Sequence, residues 1–592
     1  MSMKAMRTAR LATILMSLLY ASLMSARADI IKGPYLQNVT SSEITIMWES
    51  DRPTTGVVQY GPTPDYGLTA REEKPARIHE IRLTGLDIEK SYHYRVLSGP
   101  DRSVDLTFQT AVRPETPFTF VYYGDNKSGP HMHRKNALAI LGERPNIVLQ
   151  CGDLVSRGDV YSQWERLFFT PAAPLISRVP LFPSLGNHEE NDQHYFNYLS
   201  LPGKESYYSF DYGNAHFVVL DSAFTSIEEG SDQWKWLVED LKNSKATWKF
   251  ASYHHPPFTS GGNYYSKKRI ELKRILPALF DKYGVDIAFH GHDHDYERTV
   301  PIISQAGARP VTYVVNGNGG TPLRYVGKRE WTAYAERVFG YTLVRINGLR
   351  LELEAKTVDG RVIDRLVIDK GDPAADRKYV ESALKLESIK DPITAIDLAE
   401  QAEDIAEQAE DTKDKSLAAK ALEMYTKAFE LDPTFAEALV EVGKMNRLLG
   451  KEDLAVEQFR KAMEILPVYP DSYEEMTDVL LERRAFEEAL TMARRWAEVE
   501  PDQADPQEAM AQIREKQGQP ELAILHLLKA LEIVPSDSGV HQNLAELYAK
   551  LGRRAEAQNH YKQAIQWMDF ENTEEIQALV DKMEALERAW VD

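Results

Sequence analysis

His290-Gly291-His292-Asp293-His294-Asp295-Tyr296-Glu297-Arg298 directly follows Val285 to Phe289, a short apolar run of the kind that forms a buried strand. Two imidazoles two residues apart just past a strand end can each face a different metal ion, because a tight turn lets alternate side chains diverge. A histidine pair alone is weak evidence, since most such pairs are solvated loop residues. Four stretches upstream repeat the arrangement. Phe118 to Tyr123 ends in Gly124-Asp125-Asn126, and Ile147 to Cys151 ends in Gly152-Asp153. Pro180 to Leu185 ends in Gly186-Asn187-His188-Glu189, and Trp248 to Tyr253 ends in His254-His255-Pro256-Pro257. Each apolar run meets a polar residue at its carboxyl end, where open α/β sheets place their ligands. Helical stretches separate the runs, so residues 116–370 read as an α/β domain.

The side chains at these strand ends are carboxylates, an amide and imidazoles, with no thiolate. That donor set suits first-row ions, and we expect two divalent or trivalent metals drawn from Fe, Mn and Zn. A carboxylate can bridge two ions through its two oxygens, and Asp153 is the candidate bridge. Two cations roughly 3.5–4 Å apart clamp a phosphoryl group and make hydroxide available near neutral pH. His188, next to the proposed ligand Asn187, is positioned to act as general acid on the leaving oxygen. Asn126 and Lys127 are candidate substrate contacts. Lys127 reads equally as a point charge for phosphate oxygens or as a solvated loop residue. Asn316-Gly317-Asn318-Gly319-Gly320 lacks the context of a phosphate loop and reads as a tight turn beside the site.

With 592 residues the chain needs several cores. A net charge of −20 offers no basic stripe for nucleic acid, while a phosphorylated small molecule remains compatible because metal supplies positive charge locally. Residues 1–28 carry Lys4, Arg7 and Arg10, an apolar run from Leu11 to Met24, and Ala26-Arg27-Ala28. This is the pattern of a cleaved signal peptide, predicting an exported protein, periplasmic or extracellular, with no membrane span after cleavage. Cys151 is the only cysteine, so no intramolecular disulfide is available, and its strand-like setting makes it a core residue rather than a nucleophile.

Residues 29–112 show period-two alternation, for example Tyr92, Tyr94 and Val96 against His93 and Arg95, broken by Gly and Pro clusters. They read as an all-β sandwich. Residues 371–395 are charged and poor in aromatics, a linker or short helix. From 396 to 592 a 34-residue period appears: Pro433, Pro467, Pro501 and Pro535; Ala455, Ala489, Ala523 and Ala557; and Gly450, Gly518 and Gly552, with Arg484 at the missing glycine position. Three residue classes in register identify an all-α tetratricopeptide solenoid, an architecture whose concave face offers a surface for a protein partner.

In order, Gly124-Asp125, Gly152-Asp153, Gly186-Asn187-His188-Glu189, His254-His255-Pro256 and Gly291-His292-Asp293-His294 resemble the five motifs of calcineurin-like metallophosphoesterases. The Asp295-Tyr296-Glu297-Arg298 tail and the preceding β domain, with Gly33-Pro34-Tyr35-Leu36-Gln37, resemble the purple acid phosphatase branch and its fibronectin type III-like domain. The resemblance implies a four-layer α/β fold. It implies one metal on Asp125, Asp153 and His294 and another on Asp153, Asn187, His254 and His292, with His188 assisting the transition state. Two departures stand out. The family's purple members bind ferric iron through a tyrosine at the position of Ser156, and other members carry a histidine at the position of Lys127. The first metal is therefore a ligand short, and Ser156, a water, His131 or His133 are the available substitutes. We expect a colourless enzyme with a labile first metal.

These readings converge on an exported phosphoric ester hydrolase, foremost a phosphomonoesterase. Its nearest rival is a phosphodiesterase or nucleotidase on the same site. A more distant rival is a tetratricopeptide scaffold with a degenerate catalytic domain.

Overall fold

The computed structural model describes residues 29–568 and 572–588; the leader-like segment 1–28 lies outside the described residues. Two compact units emerge, one from Met1–His254, Val285–Phe289 and Gly340–Tyr379, the other from His255–Gly284, His290–Phe339 and Val380–Asp592. Among the described residues no helix is long and apolar enough to cross a membrane.

The first unit begins with the β sandwich. A three-stranded sheet, in the order Ile30–Gln37, Glu43–Thr54, Ala76–Thr84, faces a five-stranded one built on Gly56–Gly61 and Ser91–Ser98. Ser91–Ser98 and Ala76–Thr84 alternate buried and open positions as the period-two pattern requires. Glu43–Thr54 does not: every residue from Ile44 to Ser50 is buried. The cause is a second partner, for the α/β domain covers the sheet's outer face. Tyr35 donates to the Tyr198 carbonyl at 2.7 Å, and Gln37 to that of Leu181 at 3.3 Å. Glu49, buried, accepts from Lys32 Nζ (2.6 Å), Tyr161 (2.9 Å) and Tyr198 (3.1 Å), so its charge is paired and hydrogen-bonded.

The α/β core of this unit contains a six-stranded mixed sheet. Its order is Leu181–Pro183, Ile147–Gln150, Phe118–Tyr123, Gly340–Asn347, Arg350–Thr357 and Val362–Asp369, the first three parallel and the rest antiparallel. A second layer runs from Tyr208–Tyr212 through Ala215–Val219 and Trp248–Ser252 to residues 287–289. Phe120 meets Phe217, Phe250 and Phe289 edge-on between the layers, at centroid distances of 5.2, 5.0 and 6.0 Å. Such T-shaped pairs favour one relative placement of the sheets, and that placement sets the strand ends from which the motif residues project.

In the second unit, Thr312–Asn316, Tyr296–Thr299 and Thr332–Glu336 form an antiparallel sheet, and Lys267–Tyr283 a long helix. The repeats follow as helix pairs: Ala436–Leu448 with Glu452–Ile465, Pro470–Glu482 with Phe486–Val499, Asp505–Lys516 with Pro520–Ile533, and Ser538–Lys550 with Arg554–Trp567. Ala455, Ala489, Ala523 and Ala557 are all buried, because the close approach of paired helices leaves room there for a methyl group only.

Residues 371–395 are not a free linker. They contain the helix Pro373–Glu381 and the short strand Leu384–Lys385, which pairs in parallel with Ile302–Ile303. Asp391 is held by Arg269 (2.8 Å) and Lys273 (2.7 Å), all three nearly buried. Nor do the repeats form a detached domain. Phe435 stacks on Tyr265 with centroids 3.5 Å apart and planes at 9°. Glu437 accepts from the Tyr325 hydroxyl, Tyr469 meets the Tyr325 ring edge-on at 5.5 Å, and Asp502 pairs with Arg337 and accepts from the Leu323 amide at 3.2 Å. Long side chains in the loops after His254 and around residues 322–337 thus find their partners on the array.

Candidate metal centre

Phe118–Tyr123 and Ile147–Gln150 end side by side, and the loops leaving them brace each other. The Asp125 amide donates to the Gly152 carbonyl and the Asn126 amide to that of Asp153, both at 3.2 Å. Asp125 and Asp153 sit in left-handed backbone conformation, with φ of 53° and 57°. Their carboxylates meet the His254 imidazole, and one donor atom from each of the three lies within 4.8 Å of the other two. All three are fully buried. Two of the neighbouring glycines are there for space. A Cβ on Gly124 would fall 1.8 Å from Cys151 Sγ, and one on Gly186 would fall 2.2 Å from Asp153 Oδ1.

The donor chemistry fits a cation. His254 Nδ1 lies 2.8 Å from the Cys151 carbonyl, an atom that can only accept, so Nδ1 carries the proton. Nε2 then presents a lone pair, and it points at Asn187 Oδ1, itself an acceptor, 2.9 Å away. Two acceptors converging in a buried place beside two carboxylates form a cation site, and the backbone-anchored imidazole is the usual form of a metal-ligating histidine. Burial lowers the His254 pKa, against the opposing charge of the adjacent Asp153. Burial alone would raise the Asp153 pKa, yet the basic groups around it, among them the Lys127 ammonium that donates to it, hold it below the usual carboxylate range.

His188 is less enclosed than these ligands. Its backbone N–H donates to Asp153 Oδ1 (3.1 Å) and its Nδ1 lies 2.7 Å from the Ser156 carbonyl, so the ring orientation is set. Glu189, which the sequence reading passed over, is the brace of the centre. Buried, it accepts from the amides of Asp153 (2.9 Å), Leu154 (2.6 Å) and Gly186 (2.6 Å). Burial and the Asp153 charge push its pKa up to about 7. Its place after Asn187-His188 was the only sequence signal.

Asn126, a candidate substrate contact, is engaged with its own neighbours. Fully buried, its amide donates to the Leu154 carbonyl and accepts from Gln150, both at 2.9 Å, so it holds two loops together. Lys127 is not a solvated loop residue: it is buried and its ammonium pairs with Asp153 Oδ2. The side chains proposed to complete the first metal are engaged elsewhere or face solvent. Ser156 Oγ donates to the Lys127 carbonyl (2.8 Å). His133 bonds the Leu167 carbonyl and Tyr123 within a helix packed in the core, where burial lowers its pKa to about 4. His131 is exposed on the same helix. Cys151 is a buried core residue, its thiol pushed far up by burial and by Asp125.

His292 and His294 belong to the second unit. His292 adopts φ of 68°, and its ring lies 4.4 Å from that of His255. His294 Nδ1 donates to the Pro322 carbonyl (2.9 Å), the same anchoring as in His254. Asp293 between them is buried. It accepts from Thr259 and from the amide (3.2 Å) and side chain (2.7 Å) of Asn263, and so ties the turn to the loop that follows the His254 motif. Glu297 accepts from Ser260 and Thr332 in the same way, with burial pushing it up to about 7. The Asn316–Gly320 stretch is a buried turn, Asn316 donating to Asn318 and Asn318 to the Val338 carbonyl.

Comparison with known proteins places these residues in a family context. Residues 113–296 match the model of the calcineurin-like phosphoesterases, residues 311–365 that of the iron/zinc purple acid phosphatase-like protein C-terminal region, and residues 538–567 that of a tetratricopeptide repeat. Acid phosphatase type 7 of Danio rerio is 26% identical over 407 residues, 57% of this chain and 90% of that protein. Purple acid phosphatase 15 of Arabidopsis thaliana is 28% identical over 41% of this chain and 53% of its own length. A nucleotide pyrophosphatase/phosphodiesterase of Hordeum vulgare is 28% identical over 38% and 72%, respectively. Among solved structures, a purple acid phosphatase from yellow lupin seeds superposes with a TM-score of 0.50 at 21% identity, covering 60% of this chain and 76% of that one, and thus shares its fold.

Proposed function

Starting from a chain that carries a calcineurin-like phosphoesterase domain, a purple acid phosphatase-like C-terminal segment and a tetratricopeptide array, we propose an exported phosphomonoesterase with two metal positions. The observation that carries this reading is the convergence of the Asp125 and Asp153 carboxylates, His254 Nε2 and Asn187 Oδ1 in one place. Metal bound there supplies Lewis acidity and a hydroxide-forming water. Asp125 and Asp153 would serve one position, with Asp153, Asn187 and His254 serving the other. The motif resemblance of the sequence assigns His294 to the first set and His292 to the second. His188, its ring oriented by the Ser156 carbonyl, gives a proton from Nε2 to the leaving oxygen. Glu189 keeps the Asp153 and Gly186 loops at the spacing this requires.

The test is hydrolysis of an aryl phosphate monoester by the metal-stripped protein reloaded with Mn, Zn or Fe, beside His188→Ala. Metal-dependent turnover that falls about 10²–10⁴-fold in the variant supports the proposal. Turnover indifferent to metal would refute it. The barley relative's name favours a second reading, a phosphodiesterase, and preference for a bis-aryl over a mono-aryl phosphate would put it first. Export rests on the pattern of residues 1–28, and a mature protein beginning at Asp29 in the periplasm or medium is the expected outcome. A groove of about 430 Å³ in the repeats, lined by Glu474, Asp478, Glu508 and Glu515 with Lys550 as its one cation among the described residues, supports a role in holding a basic protein partner.

A further inference from the structure

Two of the chain's departures from its relatives' motif, Lys127 and Ser156, lie 29 residues apart yet touch, and they touch at the metal centre. The oxygens of Asp153 are divided between two environments. Oδ1 accepts from the His188 amide (3.1 Å) and faces His254 Nε2 (3.4 Å). Oδ2 is held by the ammonium of Lys127. The lysine is not there by chance of a flexible stem. Its side chain is 9% exposed, its neighbour Asn126 is locked by the Leu154 carbonyl and Gln150, and its own carbonyl accepts from Ser156 Oγ at 2.8 Å. Ser156 thus has a task at the position it occupies, which is to hold the backbone of the lysine rather than to ligate.

We propose that Lys127, buttressed by Ser156, is a built-in cation that competes for Asp153 Oδ2 and makes the two metal positions unequal. The proposal rests on the reading of this centre as a two-position metal site. The position on the Oδ1 side, with Asn187 and His254, binds tightly. The position on the Oδ2 side, with Asp125, must displace a positive charge fixed a hydrogen bond away, and binds weakly and exchangeably. Lysine suits this role as a compact ammonium that neutralises a carboxylate without itself being a metal ligand while protonated. The two departures are one device: removing the charge, or the serine that steadies it, moves the second affinity in the same direction.

The experiment is calorimetric titration of the full-length, metal-free protein with Mn²⁺ or Zn²⁺, paired with elemental analysis after gel filtration. The unaltered protein is expected to retain one equivalent and to bind a second at least tenfold more weakly. Lys127→Met keeps the stem and removes the charge, and should tighten the second equivalent at least tenfold. Lys127→His should tighten it further, and Ser156→Ala should tighten it by a smaller factor. Circular dichroism melting of each variant identifies any that fails to fold, and Lys127→Met and Lys127→His provide independent chances to read the effect. Two equal equivalents in the unaltered protein overturn the proposal. So does tightening by Lys127→His without tightening by Lys127→Met, because the lysine charge would then not be the cause. Binding of no metal at all would instead overturn the reading of the centre on which the proposal rests.

Discussion

The metal centre and the repeat array both require left-handed backbone, and they meet the requirement with different residues. In the array the turn between paired helices uses Gly450, Gly518 and Gly552, with φ of 78°, 74° and 73°. A Cβ at any of them would meet nothing within 4 Å, so glycine serves the backbone alone. In the centre the same conformation is taken by Asp125 and Asp153, the two carboxylates that converge on His254. A non-glycine residue there costs roughly 1–2 kcal/mol, and such strain persists where the surroundings over-determine the fold and the side chain has work to do. Arg484 and Lys413, with φ of 59° and 54°, are exceptions on the array side, and both are exposed.

The difference can be broken by making the same change in both places. Asp125→Gly should cost metal retention and turnover at least roughly a hundredfold, since a ligand is lost. Stability should change by no more than about 1 kcal/mol, because relief of strain offsets the entropy of glycine. Metal content beside urea unfolding would measure both, and retained metal would show that Asp125 is not a ligand. The next largest effect tests whether the array is integral to its unit. Phe435→Ala should cost about 3 kcal/mol, as expected for truncating a buried aromatic, and its unfolding midpoint should drop accordingly. A loss under about 1 kcal/mol would mean that the Tyr265 stack contributes little.

A third prediction uses pH. Burial alone would lower the pKa of His216, but hydrogen bonds to Asp211 and Asp240, both 2.7 Å, push it up to about 9. A folded pKa above the unfolded value of about 6.5 means that this stabilisation is fully present below about pH 6.5 and is lost as pH rises through about 9. Because Asp211 is largely open to solvent, we expect about 2 kcal/mol rather than the full value, read as a pH-dependent gap between the unaltered protein and His216→Asn that closes by pH 9–10. A gap constant from pH 6 to 10 would remove the charge pair from the account. The smallest effect is Arg484→Gly, expected to stabilise by about 1 kcal/mol with turnover unchanged. Destabilisation would show that the arginine side chain has a packing role.

Much of this was legible because it is local. Five apolar runs ending in ligand-type residues announce strand ends in an α/β sheet, and proline, alanine and glycine at intervals of 34 announce stacked helix pairs. What escaped was set by partners distant in the chain. Glu43–Thr54 reads as a half-buried strand and is buried on both faces, since the Tyr161–Leu181 and Tyr198 region covers it. Residues 371–395 read as a linker or short helix; the helix is there, and what escaped is that the segment is tied down by Ile302 and by Arg269 and Lys273. Asn126 has the composition of a binding residue and the environment of a brace.

The sequence by itself determined the order of the domains, the identity of the ligand-type side chains and the period of the repeats. These depend on residue type and spacing, which the chain states directly. Tertiary structure alone decided how those side chains are used: that Asp153 divides its oxygens, that Lys127 sits on one of them with Ser156 at its back, and that the array clasps the loops after His254. The physical reason is that an ammonium, a hydroxyl or an aromatic ring takes its meaning from the charge, acceptor or face it meets. In a folded chain, that neighbour comes from a segment tens or hundreds of residues away.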